Sequence, residues 1–423
     1  MKPRDPKPID YDVVVVGAGP IGLATAMLLV DGAGLAPARI AVLDRRIPAA
    51  LERANPPDID LRVFALSRAS EKILRAADAW ADIAATRAES FERMHIWHAD
   101  VPPHGGDALV FDAAEIGERD LGVIAENNVL QAALTGAARR AGVVLLEREL
   151  GALTQERGAV VLGASRGAAP GAPGGDAVRA RLVIGADGAQ SRVRELAGLT
   201  ALRGDYGQVA IVAMVSTARS HAHTAWQRFL GDGTLAFLPL ANGFCSIVWS
   251  LPVARAESLL AADVPRFEHA LMDDFDGALG AVKLESERLK FPLWRVSANQ
   301  YVTARVALVG DAAHVVHPLA GQGANLGLLD AAALAEVVAG GLAEREDPGA
   351  ERILRRYERW RRSENELMSA AIDAFDRLLA RGSGRVAQIA QRGLPWVGKS
   401  SLAKRVFIER AMGLAGELPA AAR

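Results

Sequence analysis

The stretch from Tyr11 to Asp44 constrains this chain more tightly than any other. Tyr11 to Val16 is a short apolar run rich in β-branched residues, the pattern of a strand buried on both faces of a parallel sheet. It runs straight into Gly17-Ala18-Gly19-Pro20-Ile21-Gly22, and an apolar stretch through Val30 then reads as a helix. Arg39 to Leu43 reads as the next strand and ends in Asp44. Each glycine has a physical task at this spacing. The first permits a tight turn, the second lets backbone approach a pyrophosphate, and the third lets helix and strand pack closely. Asp44 is placed to accept from a ribose hydroxyl. The pattern predicts a dinucleotide site built on Gly17, Gly19, Gly22 and Asp44. A tight strand-to-helix turn with no ligand is the alternative at this point.

A second dense stretch lies near the other end. Gly310-Asp311-Ala312-Ala313-His314 is followed almost at once by His317-Pro318-Leu319-Ala320-Gly321-Gln322-Gly323-Ala324-Asn325-Leu326-Gly327-Leu328-Leu329-Asp330. Three glycines, a proline and an asparagine in so short a span mean a backbone that turns sharply and comes close to something. The apolar residues that follow, through Leu334, read as a helix, so the turn sits at a helix N-terminus. Free N–H groups and the positive dipole end there favour an anionic or electron-rich partner, such as a flavin that carries negative charge when reduced. Leu182 to Gly188 and Val306 to Asp311 read as two further buried strands ending in acids. Asp44, Asp187 and Asp311 could then converge on one elongated ligand, with Ser191, Arg192 and Arg194 beside the middle one.

The remaining chain sets limits. Its 423 residues, 50% hydrophobic, suffice for two or three intertwined domains. A formal net charge of -1 gives no reason to expect nucleic acid. The one cysteine, Cys245, excludes an internal disulfide and reads as a packing residue in an apolar strand. The polar, proline-rich N-terminus lacks a secretion signal's apolar core. The expected location is cytoplasmic, with a peripheral place at the inner membrane face left open. Neither the His314/His317 pair nor the cluster of His95, His98 and His104 has the companions of a metal site, so no metal is expected.

Arg62 sits on a loop where it could pair with phosphate or stand solvated. Phe91 to His98 alternates like one strand. Asn127 or Asn128 reads as the N-cap of an apolar helix. Val143 to Leu146 and Ala159 to Gly163 read as a hairpin-like unit, and Arg166 to Asp176 as a flexible turn. From Gln208 to Leu251 several alternating strands predict an antiparallel sheet, followed by helix from Ala254 to Leu279. After a charge-laced helical region from Gly349 to Leu379, residues 381–423 carry eight basic residues against two acidic ones. Interleaved with apolar residues, they read as a basic amphipathic tail suited to an anionic membrane surface or a partner helix, or as a helix packed on the body.

Taken together these motifs resemble the FAD-dependent aromatic hydroxylases of the ubiquinone-biosynthesis type. His317 to Asp330 fits that family's His-Pro-Leu-Ala-Gly-Gln-Gly-x-Asn-x-Gly-x-x-Asp signature at every fixed position. Gly17 to Gly22 resembles its FAD fingerprint, Ala186-Asp187-Gly188 with Ser191, Val193 and Arg194 its Asp-Gly motif, and Gly310 to His314 its second FAD motif. Leu235 to Leu240 resembles a strand of the substrate-side sheet. The likeness spans residues 10 to 415. Many relatives have Glu where this chain has Asp44, and Arg or Gln near Asn127.

The resemblance implies an α/β chain. A glutathione-reductase-like FAD-binding Rossmann domain (1–75, 105–190 and 290–350) is interleaved with an α+β mixed-sheet substrate domain (76–104 and 191–289). A C-terminal helical region (351–423) follows. It implies FAD contacts at Gly17, Gly19, Gly22, Asp44, Arg62, Asn127, Asp187, Gly310, Asp311, Gly321, Gly323, Ala324 and Asn325. The reaction implied is hydroxylation of the ring of a polyprenylated phenol, with NADPH or NADH and O2, through a hydroperoxide at the flavin C4a. His317 is the candidate to help deprotonate the phenol, or else braces its loop. Backbone N–H groups of Gly321 to Asn325 would steady negative charge at the flavin N1–C2=O edge. The rivals are a hydroxylase of small soluble aromatics, a flavin oxidase or dehydrogenase, and a non-enzymatic FAD-binding subunit of a biosynthetic complex.

Overall fold

The structure is a computed structural model that describes residues 8–52, 58–164, 177–318, 321–377 and 416–423. Its first layer is an eight-stranded sheet. Val306–Leu308, Val178–Gly185, Tyr11–Val16, Ile40–Asp44 and Val144–Glu147 lie side by side, each parallel to the next. Val13, Val14 and Val15 are fully buried, as a β-branched run between two helical layers requires. Because the strands run one way, their C-terminal ends share one edge. Gly17, Asp44, Asp187 and Asp311 all emerge there.

The hairpin is arranged differently from the sequence expectation. Val144–Glu147 joins the parallel sheet beside Ile40–Asp44, and Ala159–Ala164 pairs instead with Leu150–Glu156. The first strand of that hairpin is largely exposed and polar, with burial only at Leu150, so it leaves no clean alternation to read. The turn expected at Arg166 to Asp176 lies outside the described residues.

The second layer is a nine-stranded, mostly antiparallel sheet. Its spine is Ala201–Thr217, paired with Cys245–Pro252 on one side and Leu289–Ala298 on the other. Cys245 is fully buried, and burial pushes its thiol up to about 12. The long ladder claims Leu289–Ala298 for this sheet, although the expected boundary put residues from 290 in the first domain. Leu109–Asp112 likewise pairs with Arg93–His98 here, past the expected boundary at 105. Phe91 to His98 is two strands, not one. Ala88–Phe91 belongs to a small three-stranded sheet and Arg93–His98 to the large one, because Glu92 N–H turns to the carbonyl of His223. The helix expected from Ala254 to Leu279 breaks at Asp263, which caps Val264–Asp274 by accepting from Arg266 N–H.

Two long helices close the molecule. Gln322–Ala343, the signature helix, is long and apolar enough to cross a membrane, yet it is mostly buried within the protein. It packs on Pro20–Gly32, the fingerprint helix. A Cβ on Gly327 would stand 2.9 Å from Ile21 Cδ1 and 3.3 Å from Gly310 Cα, so the two helices are closely apposed at this point. Glu351–Phe375, the long helix, lies against the signature helix. Of the basic tail, residues 381–415 lie outside the described residues. At the far end Ala420 N–H donates to Glu336 at 2.7 Å.

Candidate active site

The glycine turn after Tyr11–Val16 divides its three glycines between two tasks. Gly17 has a φ of +113°, and a Cβ there would stand 2.3 Å from the carbonyl oxygen of Ala186. A Cβ on Gly22 would be 1.9 Å from the carbonyl oxygen of Gly17. These two are demanded by packing. Gly19 has ordinary extended backbone and nothing within 4 Å of where its Cβ would be. Its bareness serves open space, as a pyrophosphate approach requires. Asp44 accepts from Ala18 N–H at 2.7 Å and from Arg46 N–H at 3.1 Å. The carboxylate thus holds the turn itself and has lone pairs left for a ribose hydroxyl.

Asp187 is engaged in the same local manner. It accepts from Ser191 Oγ at 2.5 Å and from the N–H groups of Arg192 and Val193 at 2.6 and 3.0 Å, at the start of the short helix Arg192–Leu196. Arg194 is buried and donates to the carbonyls of Ala312 at 2.7 Å and Ala189 at 2.8 Å. It ties the Asp187 strand end to the Asp311 strand end. Burial, then repulsion from Arg203, lowers its pKa.

Asp311 is exposed to solvent, and the protein packed around it pushes its carboxyl above the usual range against the opposing charges of His314 and Arg62. Gly310 turns the backbone with a φ of +58°, where a Cβ would meet Ile21 at 3.3 Å. Arg62 is exposed, its guanidinium 6.0 Å from the centre of the Phe291 ring.

The signature turn begins its helix at Gln322, with Gly321 as a left-handed N-cap whose Cβ would come within 3.0 Å of Ala65. Asn325 is buried and works as a clamp. Its Oδ1 accepts from Ser67 N–H at 3.0 Å and Ser70 Oγ at 2.7 Å, and its Nδ2 donates to the carbonyls of Ala65 and Gly321 at 2.9 and 3.3 Å. The side chain is consumed in holding the turn, so its helix-start N–H groups are what the loop presents. Gly323 has no atom within 4 Å of a would-be Cβ, and Ala324 beside it is half-buried.

Asn127 is the first residue of its helix, and Glu126 is the N-cap, without a side-chain cap bond. The capping work is done from across the loop by Asp60, which accepts from Asn128 N–H and Asn127 Nδ2, both at 3.2 Å. Asn127 is 9% exposed, and its amide also reaches Gln131 at 3.4 Å.

His317 is sealed from solvent, its Nε2 3.1 Å from Gln208 Oε1 and its ring edge-on to Tyr206 at 4.9 Å between centroids. Tyr206 donates to Asp373 at 2.7 Å, and Arg295 bridges the other carboxylate oxygen at 2.7 Å. These residues line a cavity of about 440 Å³ with Gly204, Asp205 and Arg377. His314 faces a different partner, the buried carboxylate of Asp330. The two histidines therefore serve two separate networks.

The sequence reading missed Gln208, Tyr206, Arg295 and Asp373, none of which stands in a motif. They meet because the ladder between Ala201–Thr217 and Leu289–Ala298 shifts register between Asp205 and Val209. It also passed over Asp330 as a site residue, and it placed Arg194 beside Asp187 without foreseeing its bond to the Ala312 carbonyl. Asp330, a charged residue within an apolar helical run, carried a readable signal.

The residues fit an elongated, anionic dinucleotide such as FAD on structural grounds alone. Two glycines face open space, two helix starts flank them, and the exposed Asp311 stands on the same edge. The comparisons agree. The family described as FAD binding domain matches residues 10–370. The 3-demethoxyubiquinol 3-hydroxylase of Escherichia coli K12 is 33% identical over 405 residues, covering 95% of this chain and 98% of that one. Ubiquinone hydroxylase UbiL of Rhodospirillum rubrum is 36% identical over 405 residues, covering 95% and 89%. Among solved structures, p-nitrophenol 4-monooxygenase PnpA of Pseudomonas putida DLL-E4 superposes with a TM-score of 0.73 at 19% identity, covering 96% of this chain and 99% of that one. At that identity the likeness speaks for the fold alone.

Proposed function

The chain belongs to the FAD binding domain family and is a flavin-dependent monooxygenase, and from that premise we propose that it hydroxylates the ring of a polyprenylated phenol in ubiquinone biosynthesis, using NAD(P)H and O2. The observation that carries the reading is the contact of His317 with Gln208. It joins the loop before the signature turn to the spine of the second sheet. A ring held on that sheet would lie beside the edge where Gly19, Asp311 and Gly323 open. Bound FAD supplies the redox chemistry, taking electrons from the nicotinamide and activating O2.

The chain's own residues supply position, charge and exclusion of water. Gly17, Gly19 and Gly22 admit the pyrophosphate, and Asp44 takes a ribose hydroxyl with its spare lone pairs. Arg62, with its charge felt at Asp311, meets phosphate. The N–H groups from Gly321 to Asn325 steady negative charge on the flavin ring. Asn127 supports this edge through Asp60 rather than by reaching the cofactor itself. We assign His317 to bracing rather than to proton abstraction. Gln208 Oε1 is an acceptor, so the Nε2 facing it carries a proton and donates. His317→Ala should then weaken flavin retention without removing one limb of the pH–rate profile. Loss of that limb would restore it as the base.

The division into a flavin domain and a substrate domain is likewise proposed, with the second sheet, Leu289–Ala298 included, as the substrate side. Residues 381–423 we assign to contact with a membrane surface or a partner protein at the cytoplasmic face, the last few of them also docking on the body through Ala420 and the buried Ala422. Neutralising the basic residues from Arg381 to Arg410 should release the protein from membranes while leaving it folded with FAD bound. The decisive experiment is a mass-spectrometric quinone profile of cells lacking this gene, with the purified protein then given the accumulated compound. A prenylated phenol short of one oxygen, hydroxylated in vitro with NAD(P)H consumption, is the expected result. An unchanged quinone pool together with coupled turnover of small soluble phenols would replace this reading.

A further inference from the structure

Asp330 is fully buried in the signature helix, and donors converge on both of its oxygens. Oδ2 accepts from Gly310 N–H at 3.1 Å and faces His314 Nε2. Oδ1 accepts from Arg361 Nε and Asn365 Nδ2, each at 2.9 Å. Arg361 Nη2 donates in turn to Asn365 Oδ1 at 2.9 Å, so the pair acts as one clamp. One oxygen thus belongs to the loop that carries Asp311. The other belongs to the long helix, which no sequence motif touches.

We propose that Arg361 and Asn365 are positioning residues for the flavin edge. They hold the Asp330 carboxylate ionised and oriented, so that its far oxygen fixes the Gly310–His314 loop and, through it, Asp311. The proposal rests on FAD occupying that edge. A carboxylate is fixed in its plane only when both oxygens are engaged, and a buried one stays ionised only when donors offset its lost hydration. His314 supplies one such donor from the loop, and Arg361 and Asn365 supply the others from the long helix. Tyr357 on that helix and Tyr301 before the Val302–Thr303 strand also face the group, and burial, then the charge of Asp330, raises the pKa of each. Burial by itself would raise Asp330. His314, Arg361 and Asn365 overcome it and leave the carboxyl at about 2. Without the clamp the carboxyl protonates at higher pH, Oδ2 loses its hold on Gly310 N–H, and the loop loosens.

The test titrates apoprotein with FAD by flavin fluorescence from about pH 5 to pH 8, for the unmodified protein, Asn365→Ala, the milder Asn365→Ser, and Arg361→Lys. Thermal unfolding of each is followed in parallel. Expected is a flat affinity profile for the unmodified protein. The variants should weaken toward low pH, by about tenfold for each pH unit below the raised pKa. Arg361→Lys, which keeps the charge but not the fork, should fall between them. Equal pH profiles for all four proteins, even with lowered unfolding temperatures, would reduce the clamp to a packing contact and overturn the proposal. Unmodified protein that takes up no FAD at any pH would overturn the flavin reading itself.

Discussion

The strand-end edge of the first sheet and the face of the second meet at His317, yet they are built by opposite means. The edge is shaped by backbone approach. At Gly17 and Gly22 an added Cβ would lie within 2.3 Å of a backbone carbonyl oxygen, so the chain itself is the fitted surface. The second face is shaped by side chains, with Tyr206 and Arg295 both bonded to Asp373 at 2.7 Å and Gln208 bonded to His317 at 3.1 Å. Backbone fit tolerates one residue type per position, whereas side-chain fit tolerates several that reach the same place. A site of the first kind should fail abruptly under substitution, and one of the second kind by degrees.

Gly22→Val presses that contrast hardest. Its Cβ would enter the carbonyl of Gly17, and the expected loss exceeds about 4 kcal/mol, with no flavin retained. Flavin content and thermal unfolding would measure it, and a stable yellow variant would break the contrast. Acid is the next probe. Asp330 sits at about 2 when folded against roughly 3.9 when unfolded. Its folded pKa is depressed, so the stability it gives is complete above about pH 4 and is lost as pH falls through the folded value near 2. The loss is on the order of 2 to 3 kcal/mol, readable from urea unfolding across that range.

Gly19→Ala separates ligand from packing. Apoprotein stability should stay within about 0.5 kcal/mol, because nothing surrounds the new methyl, while FAD affinity falls roughly tenfold. Equal loss in both measurements would mean that Gly19 serves the fold. Tyr206→Phe is the gentlest. Losing the hydroxyl that donates to Asp373 should cost about 1 kcal/mol of stability and leave FAD binding unchanged. Lost FAD binding there would erase the distinction between the two regions.

The same contrast explains what could be read from the sequence. Gly17, Gly22, Gly310 and Gly321 were legible because close approach and left-handed backbone leave glycine little competition. The strands Tyr11–Val16 and Val306–Leu308 were legible because burial on both faces demands an unbroken apolar run. Asn325 was legible as a position but not as a role. The sequence suggests an amide near a ligand, and only the fold shows its oxygen and nitrogen spent on Ser67, Ser70, Ala65 and Gly321. Leu150–Glu156 was illegible because its exposed residues have no face to reveal. Gln208 and Asp373 were illegible because a register shift and a distant helix bring them to His317 and Tyr206. Neither leaves a trace in local spacing.

Asn325 ties the signature helix to a segment far earlier in the chain. It bonds Ser67 across 258 residues and Ala65 across 260. A ribosome makes the fingerprint turn first and the residue that locks its neighbourhood more than three hundred residues later. For most of synthesis the nascent chain carries the glycines of a flavin site without the site. A product broken off before Asn325 would carry the fingerprint without the residue that holds Ala65 and Ser67 in place, and the expected outcome is that it stays colourless.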